Sequence, residues 1–580
     1  MEHRAHTPNN RPDPDAMTRM KQDLSSSPHQ ESYLETNGGP QMIRQSVGRI
    51  PHVCVVGAGV AGLRCADVLL QHGVKVTILE GRDRIGGRLC QSEALGHMVD
   101  LGPNWIHGTD SNPILDLARQ TKTITTTWEE QQAVFARSGD LMPDARSTEN
   151  NELVWKIIAQ AMKYSNEHSA SIPAEKSLYN FFEEKVKEEF PETVKNDVEA
   201  RGRQETILQM AEMWGAFVGS PIQTQSLRFF WLEECIDGEN LFVAETYHKV
   251  LKKIAEPALK GADVKFGCKV KKIISDEKEE GPRVTVGIDG GEELTFDEVV
   301  MTAPLGWLKR NEDAFVPALP ARLKQAISSI GYGNLDKVYI TFPTPFWNTS
   351  PITTNGTTTT PHQQTLPNVT ATTAPLHQSS PPTSTSQQYP GFTHWTSPHY
   401  APSTNPSHWN QECVNLAALP SPTAHPTLLF YTFGPTSLHL ASLLSTHPSP
   451  TSPSALALLT AFFHPYYSRL PNYSPTNPSH QPSRILATVW ANDELAGYGS
   501  YANFQTGLEC GDQDVEIMRT GCPERGLWLA GEHTAPFVAL GTVTGAWWAG
   551  EGVAKRIVRA FGLGVDGNGD GVATANVSNY

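Results

Sequence analysis

What this chain of 580 residues lacks narrows its class before any motif is considered. Its eight cysteines, Cys54, Cys65, Cys90, Cys235, Cys268, Cys413, Cys510 and Cys522, contain no Cys-x-x-Cys pair. That spacing argues against both a zinc ribbon and a disulfide framework, and it points to a reducing compartment. No stretch is long and apolar enough to span a bilayer. Residues 1–50 are polar, lack the apolar core of a secretory signal and read as a disordered tail. The final Ser578-Asn-Tyr580 is not the tripeptide that addresses proteins to peroxisomes, so the expected compartment is cytoplasmic. Basic residues are outnumbered 46 to 61, giving a net charge of −15, and no nucleic-acid partner is expected. Charged side chains almost vanish between Val338 and Tyr467, and the run 349–390 is dominated by threonine, serine, proline and glutamine. Such a composition cannot build a core and reads as a surface insertion between Trp347 and Gly391, after which apolar segments at Gly391–Trp395, Leu416–Leu419 and Leu428–Phe433 read as strands or helices, with proline-rich loops near Thr446–Pro453 and Leu470–Pro482. The stretch Asp566–Gly571 begins like a calcium loop, but Val577 stands where the bidentate glutamate belongs, so no metal site is expected.

What is present begins at His52, in the run His52-Val-Cys-Val-Val-Gly-Ala-Gly-Val-Ala-Gly62. Val53–Val56 reads as a buried parallel strand ending at Gly57. Gly57 allows a tight turn, Gly59 a close approach of backbone to a diphosphate, and Gly62 the packing of a helix from Val60 to Gln71 on the strand. The N-terminus of that helix favours an anion. Val74–Leu79 then forms a second strand, and Glu80 falls where a carboxylate can accept hydrogen bonds from ribose hydroxyls. In the continuation Arg82-Asp-Arg-Ile-Gly-Gly-Arg88, Arg82 and Arg88 can supply positive charge to the diphosphate, while Gly86 and Gly87 let the segment lie close to it. Strand, helix, acid and arginines together indicate FAD. The helical block from Glu149 to Met213 shows core spacing at Leu153, Ile157, Ile158, Ala161 and Met162, without a sustained heptad.

Four further segments follow in order: Leu101-Gly-Pro-Asn-Trp-Ile-His-Gly108, Lys337-Val-Tyr-Ile-Thr-Phe342, Gly499-Ser-Tyr501, and Leu527-Trp-Leu-Ala-Gly-Glu-His-Thr534 leading into Gly541-Thr-Val-Thr-Gly-Ala546. With the first unit they resemble the FAD-dependent amine oxidase family, in pattern closest to fungal and animal polyamine oxidases, from about Pro51 to Phe561. The resemblance implies an α/β fold of two domains: a Rossmann-like FAD-binding domain and an α+β substrate-binding domain. The expected segments are 51–120, 250–310 and 486–562 for the first and 121–249 and 311–485 for the second, with a flexible tail over 563–580. Leu527–Ala530 reads as a buried strand ended by Gly531, a helix is expected from about Thr544 to Arg559, and Val264–Ile273 reads as one strand. The resemblance implies that Glu532 reaches the ribityl or diphosphate region, that Val543 at the helix start offers backbone to the flavin's pyrimidine edge, and that the backbone of Val270 meets adenine. Gly102, Pro103, Asn104, Trp105 and Trp490 complete the expected cofactor contacts.

The chemistry implied by the resemblance is oxidation of a carbon beside an amine, followed by imine hydrolysis and reduction of oxygen to hydrogen peroxide. Lys337 matches the family lysine that holds a water against the flavin, Tyr501 an aromatic wall of the substrate cavity, and His107 a histidine facing substrate. Thr542 stands where several relatives have a second tyrosine, and Ser500 where monoamine oxidases have the cysteine that bonds flavin, so FAD is expected to be non-covalent. The expected partners are a small cationic polyamine and molecular oxygen. Glu233, Glu234, Asp237 and Glu239 are candidates for an acidic mouth that gathers a polycation. The alternatives are another amine or amino-acid oxidase, the latter needing an arginine clamp that is not assigned here, or a catalytically weak flavoprotein scaffold. Glu245 occupies a usual glycine position at a turn, where a positive φ would strain it.

Overall fold

The computed structural model describes residues 50–128, 131–192, 197–275, 283–348 and 389–563. Nearly all of both expected tails and of the threonine-rich insertion lies outside the described residues. Asn348 and Tyr389, the residues flanking the undescribed run, are joined by a hydrogen bond of 3.2 Å from the Tyr389 amide to Asn348 Oδ1.

Two large sheets carry the site. The first is a five-stranded parallel sheet in the order Leu527–Leu529, Glu298–Met301, His52–Val56, Lys75–Leu79 and Asp263–Lys265. Four of its strands are short, mostly apolar runs buried on both faces, as a parallel sheet covered by helices requires, and the edge strand Asp263–Lys265 is more exposed. Helix Val60–Gln71 packs on it beside helix Val543–Ala560. The two helices approach so closely that a side-chain carbon at Gly550 would lie 2.1 Å from the Ala61 carbonyl oxygen.

The second sheet has six strands in the order Arg484–Ala487, Leu335–Thr341, Thr427–Phe433, Gln411–Asn415, Phe392–Trp395 and Gln132–Phe135. All neighbours are antiparallel except the last pair. The charge-poor region supplies much of this sheet together with helices Gly434–Ser445 and Pro453–Tyr467. Trp347, Trp395, Phe430, Phe463, Tyr466 and Tyr467 are all fully or almost fully buried behind it. Full burial of each large apolar side chain contributes roughly 1.5–3 kcal/mol, so this segment is a core builder outside the undescribed run. The Glu149–Met213 block forms helices Asp144–His168, Leu178–Glu189 and Val198–Ala211, with Ile157, Ile158 and Ala161 buried among them.

Two local expectations change. A single strand through Val264–Ile273 is broken into Asp263–Lys265 and Val270–Ser275 by a turn in which Gly267 takes φ +69° and donates its amide to Arg82 O. At the Glu245 turn the left-handed residue is Thr246, at φ +68°, not Glu245. Glu245 accepts a hydrogen bond from the Ile124 amide at 3.1 Å and pairs with Lys249, so its side chain fastens the turn.

Candidate active site

The turn after the first strand separates three reasons for glycine. Gly57 has φ +106°, and a Cβ there would lie 2.6 Å from Thr302 Oγ1. Gly62 would push a Cβ to within 2.0 Å of Gly57 O, where helix meets strand. Gly59 is different. Its φ of −77° and ψ of −179° suit any residue, and a Cβ would meet no protein atom within 4 Å. Neither backbone nor packing calls for glycine at that point, whereas a diphosphate brought against the backbone does. Glu80, buried, braces the turn by accepting from the Ala58 amide at 2.7 Å and the Arg82 amide at 2.8 Å. The cradle therefore fits the phosphates of a dinucleotide.

The arginines that follow are fixed by carboxylates. Arg82 Nη2 donates to both carboxylate oxygens of Asp493, at 2.9 and 3.0 Å. Arg88 Nη1 reaches Glu532 at 2.9 Å and the Ser500 carbonyl at 2.6 Å. Glu532 in turn accepts from the Ala502 amide at 3.3 Å, so the first and last chain segments meet at one ion pair. Gly531 is extended, and a Cβ there would strike the His533 ring. Val270 is a buried strand residue. Val543 opens the last helix, whose N-cap is Thr542: the Thr542 hydroxyl accepts from the Gly545 amide at 2.9 Å and donates to Ala539 O at 2.7 Å. Thr542 thus has a capping role beside any role in a substrate wall.

Lys337 is 4% exposed in the strand Leu335–Thr341. Its ammonium nitrogen donates to the Asp100 carbonyl at 3.2 Å, to the Gly102 carbonyl and to Asn104 Oδ1, all neutral acceptors. Gly102 leaves no room for a side chain, since a Cβ would fall 1.8 Å from Arg88 O. Burial pushes the Lys337 ammonium well below its ordinary pKa, opposed by the Asp100 carboxylate, and pushes that carboxyl up. Such a lysine can exchange a proton near neutral pH. The strand is anchored next door: Asp336 accepts from Thr488 Oγ1, Ser437 Oγ and the Trp490 amide, each at 2.7 Å. Trp490 then donates its indole N–H to Leu101 O at 3.1 Å.

Of the other expected residues, Asn104 bonds the lysine and Trp105 bonds Tyr431, over whose ring the lysine lies. Asn104 Oδ1 also accepts from Tyr431 OH at 3.0 Å, and Trp105 Nε1 donates to the same Tyr431 hydroxyl at 3.3 Å. Pro103 bridges these contacts along the chain. His107 is half-buried, and its pKa is lowered by burial, against the pull of the Asn240 side chain. Tyr501 lies along Gly541 and donates its hydroxyl to Phe217 O at 2.7 Å. Burial pushes the Tyr501 phenol up, and the Glu233 carboxylate adds to the effect. Burial also raises Glu233 and Glu234 to about 7 each.

Sequence reasoning missed Asp100, Asp336 and Tyr431. Asp100 was one residue outside a recognised motif, and Asp336 immediately preceded the lysine. Tyr431 gave no sequence signal, because only strand pairing brings it opposite Lys337.

A dinucleotide cradle and a buried lysine hydrogen-bonded only to neutral oxygens point to a flavin-dependent oxidoreductase. A family model described as flavin containing amine oxidoreductase matches residues 60–558, and the chain belongs to that family, with FAD as its cofactor. The chain is 29% identical over 309 residues to a probable polyamine oxidase 4 of Arabidopsis thaliana, covering 51% of this chain and 59% of that relative. It is 30% identical over 300 residues to lysine-specific histone demethylase 1 homolog 2 of Oryza sativa subsp. japonica, covering 51% of this chain and 37% of that relative. The aligned stretches therefore span less than two thirds of these relatives. A solved putrescine oxidase bound to putrescine shares the fold at a TM-score of 0.58 and 18% identity, covering 88% of this chain and 99% of that one.

Proposed function

We propose that this protein oxidises polyamines, namely spermine, spermidine or their N-acetylated forms, at a carbon beside a secondary amine. The observation that carries the reading is Lys337, buried and bonded only to neutral oxygens beside the cradle. The balanced reaction takes RCH2–NH–R′, oxygen and water to RCHO, R′NH2 and hydrogen peroxide. Bound FAD would supply the two-electron acceptor for the amine carbon and donor for oxygen.

The chain's own residues bind, orient and move protons. Gly57, Gly59 and the N-terminus of helix Val60–Gln71 would receive the diphosphate, with Arg88 nearby for charge and Glu80 at the ribose. Ser500 carries no thiol, so attachment is non-covalent. Lys337 would exchange a proton at its side-chain nitrogen and hold a water there in place of one of its present acceptors, and Asn104 and Tyr431 fix its direction. Tyr501 would confine the amine against the cofactor, with His107 able to accept a hydrogen bond from a substrate N–H. The carboxylates Glu233 and Glu234 suit a cationic substrate. The demethylase relatives leave a peptide-bound methylated lysine as the competing substrate, and the net charge of −15 disfavours it against the basic surface that chromatin demands.

The test is to incubate the purified flavoprotein in air with each polyamine and with a dimethyl-lysine peptide. Peroxide should appear with an aldehyde and an amine in equal amounts, from a polyamine and not from the peptide. Formaldehyde from the peptide alone would replace this reading with demethylation.

A further inference from the structure

Away from the cradle and from Lys337, a cavity of about 560 Å³ is lined by Lys309, Arg310, Tyr332, Asn334, Leu438 and Tyr498. Sites for small organic molecules run from about 300 to 1,000 Å³. Its walls come from the end of the short helix Leu305–Arg310, the residues leading into the Lys337 strand, helix Gly434–Ser445 and the segment after Trp490.

Two neighbouring cations face this space. Lys309 donates to the Ser328 carbonyl at 2.7 Å, and Arg310 donates through Nη1 to the Gly306 and Gly497 carbonyls at 3.4 and 3.3 Å. Among the described residues neither pairs with a carboxylate, and Glu312, two positions on, is taken by Lys324 at 3.2 Å. Burial, with the neighbouring Arg310 adding to it, pulls Lys309 down to about 8, and no acid works the other way. At neutral pH both groups are still mainly charged. In a chain of net charge −15 such an uncompensated pair attracts an anion, and a guanidinium with donors to spare suits phosphate.

The rest of the cavity suits a flat ring. Tyr498 is exposed, and the Arg310 guanidinium lies 5.0 Å from the centre of its ring. The Tyr498 backbone has φ +59°, a conformation that a bulky residue rarely adopts and that collects at ligand sites. Leu438 adds an exposed apolar surface. Asn334 is fixed by its backbone, whose amide donates to Gly219 O and whose carbonyl accepts from the Gly434 amide, each at 2.8 Å. Its side-chain Oδ1 is buried without a hydrogen-bond partner, an acceptor that a ligand N–H would satisfy.

We propose that this cavity binds an organic phosphate of mononucleotide size, with its phosphate on Lys309 and Arg310, its base against Tyr498 and a base amino group on Asn334 Oδ1. The inference is independent of the polyamine reading. The site is separate from the cradle, because none of Gly57, Gly59, Glu80 and Arg88 lines it. It does touch the cradle's supports. The Tyr332 hydroxyl donates to Ala496 O at 2.5 Å and accepts from Arg88 Nη1 at 3.5 Å. Ala491, also in the wall, follows the residue whose amide holds Asp336. A bound nucleotide would therefore brace the segment that fixes Arg82 through Asp493 and Arg88 through the Ser500 carbonyl, and flavin should leave more slowly.

The test is calorimetric titration of the flavin-loaded protein, its cradle already filled, with adenosine monophosphate, inorganic phosphate and adenosine. Adenosine monophosphate should bind at a single site, at least about fivefold more tightly than either fragment. Arg310→Gln should weaken it on the order of tenfold, as for loss of a hydrogen bond between charged groups. Tyr498→Gly suits the left-handed backbone and so keeps the fold, which its flavin absorbance checks. It should weaken adenosine monophosphate about fivefold and leave inorganic phosphate within about twofold. Loss of flavin on dilution should be slower with adenosine monophosphate present, and this protection should be missing in Arg310→Gln. No saturable binding, an affinity unchanged in both variants, or inorganic phosphate bound as tightly as the nucleotide would overturn the site. So would faster flavin loss, the sign of a nucleotide entering the cradle instead.

Discussion

Lys337 shows at the scale of one residue why burial and chemistry go together. An ammonium group that exchanges water for two carbonyls and an amide oxygen keeps its hydrogen bonds but loses the dielectric that stabilises its charge. Lys337→Met keeps the volume and removes the proton. The variant should retain flavin and slow the oxygen reaction on the order of a hundredfold, read as reoxidation of the reduced protein in stopped flow. Reoxidation at the wild-type rate would remove Lys337 from the mechanism. Glu233 and Glu234 give a second residue-scale expectation with a sign. Both carboxyls are raised to about 7, so they are largely neutral below that pH and negative above it. Apparent affinity for spermine should therefore strengthen between pH 6 and pH 8, several-fold. In a Glu233→Gln, Glu234→Gln double variant the dependence should be shallower, and an identical pH profile would show that these carboxylates do not meet substrate.

At the scale of elements, the strand, turn and helix at residues 52–71 were legible because each glycine solves a local problem. The sequence pattern also anticipated the strand Leu527–Leu529 and the final helix to within a residue or so. The same geometry separates two substitutions that look alike. Gly62→Ala drives a methyl into the Gly57 carbonyl and should lower thermal stability by about 1–3 kcal/mol, with or without flavin. Gly59→Ala meets no protein atom, so the flavin-free protein should melt like wild type while the flavin content of the purified protein falls sharply. Equal flavin retention in Gly59→Ala would place the cofactor elsewhere. What was not legible at this scale is the order and pairing of the six-stranded sheet. Its inner strands Gln411–Asn415 and Thr427–Phe433 are buried on both faces, so polar alternation is missing. The break at Gly267 depends on a tertiary bond to Arg82 that no local pattern announces.

At the scale of the whole molecule, the site exists only where distant segments meet. Arg88 and Glu532 are 444 positions apart, and Lys337 and Gly102 are 235 apart. Motifs could nominate Lys337, Asn104, Trp105, Tyr501 and Glu532 singly. The pairing of Lys337 with Tyr431 is a property of the sheet register and lay beyond any motif. Composition marks only the threonine-rich run and the proline-rich stretches of the charge-poor region as loop, and the apolar segments between them supply Trp395, Phe430, Phe463 and Tyr466 to one core. The absence of charge marks burial in that sheet and its helices. The central claim joins all three scales: a dinucleotide cradle, a buried lysine and an acidic mouth act on one polyamine. Its most direct test is to mix the purified flavoprotein with spermine, spermidine or N-acetylspermine in the absence of oxygen and record visible absorbance. The account predicts that at least one of them bleaches the flavin in a single saturable phase and that admitted oxygen restores the colour. A yellow protein that none of the three bleaches would contradict it.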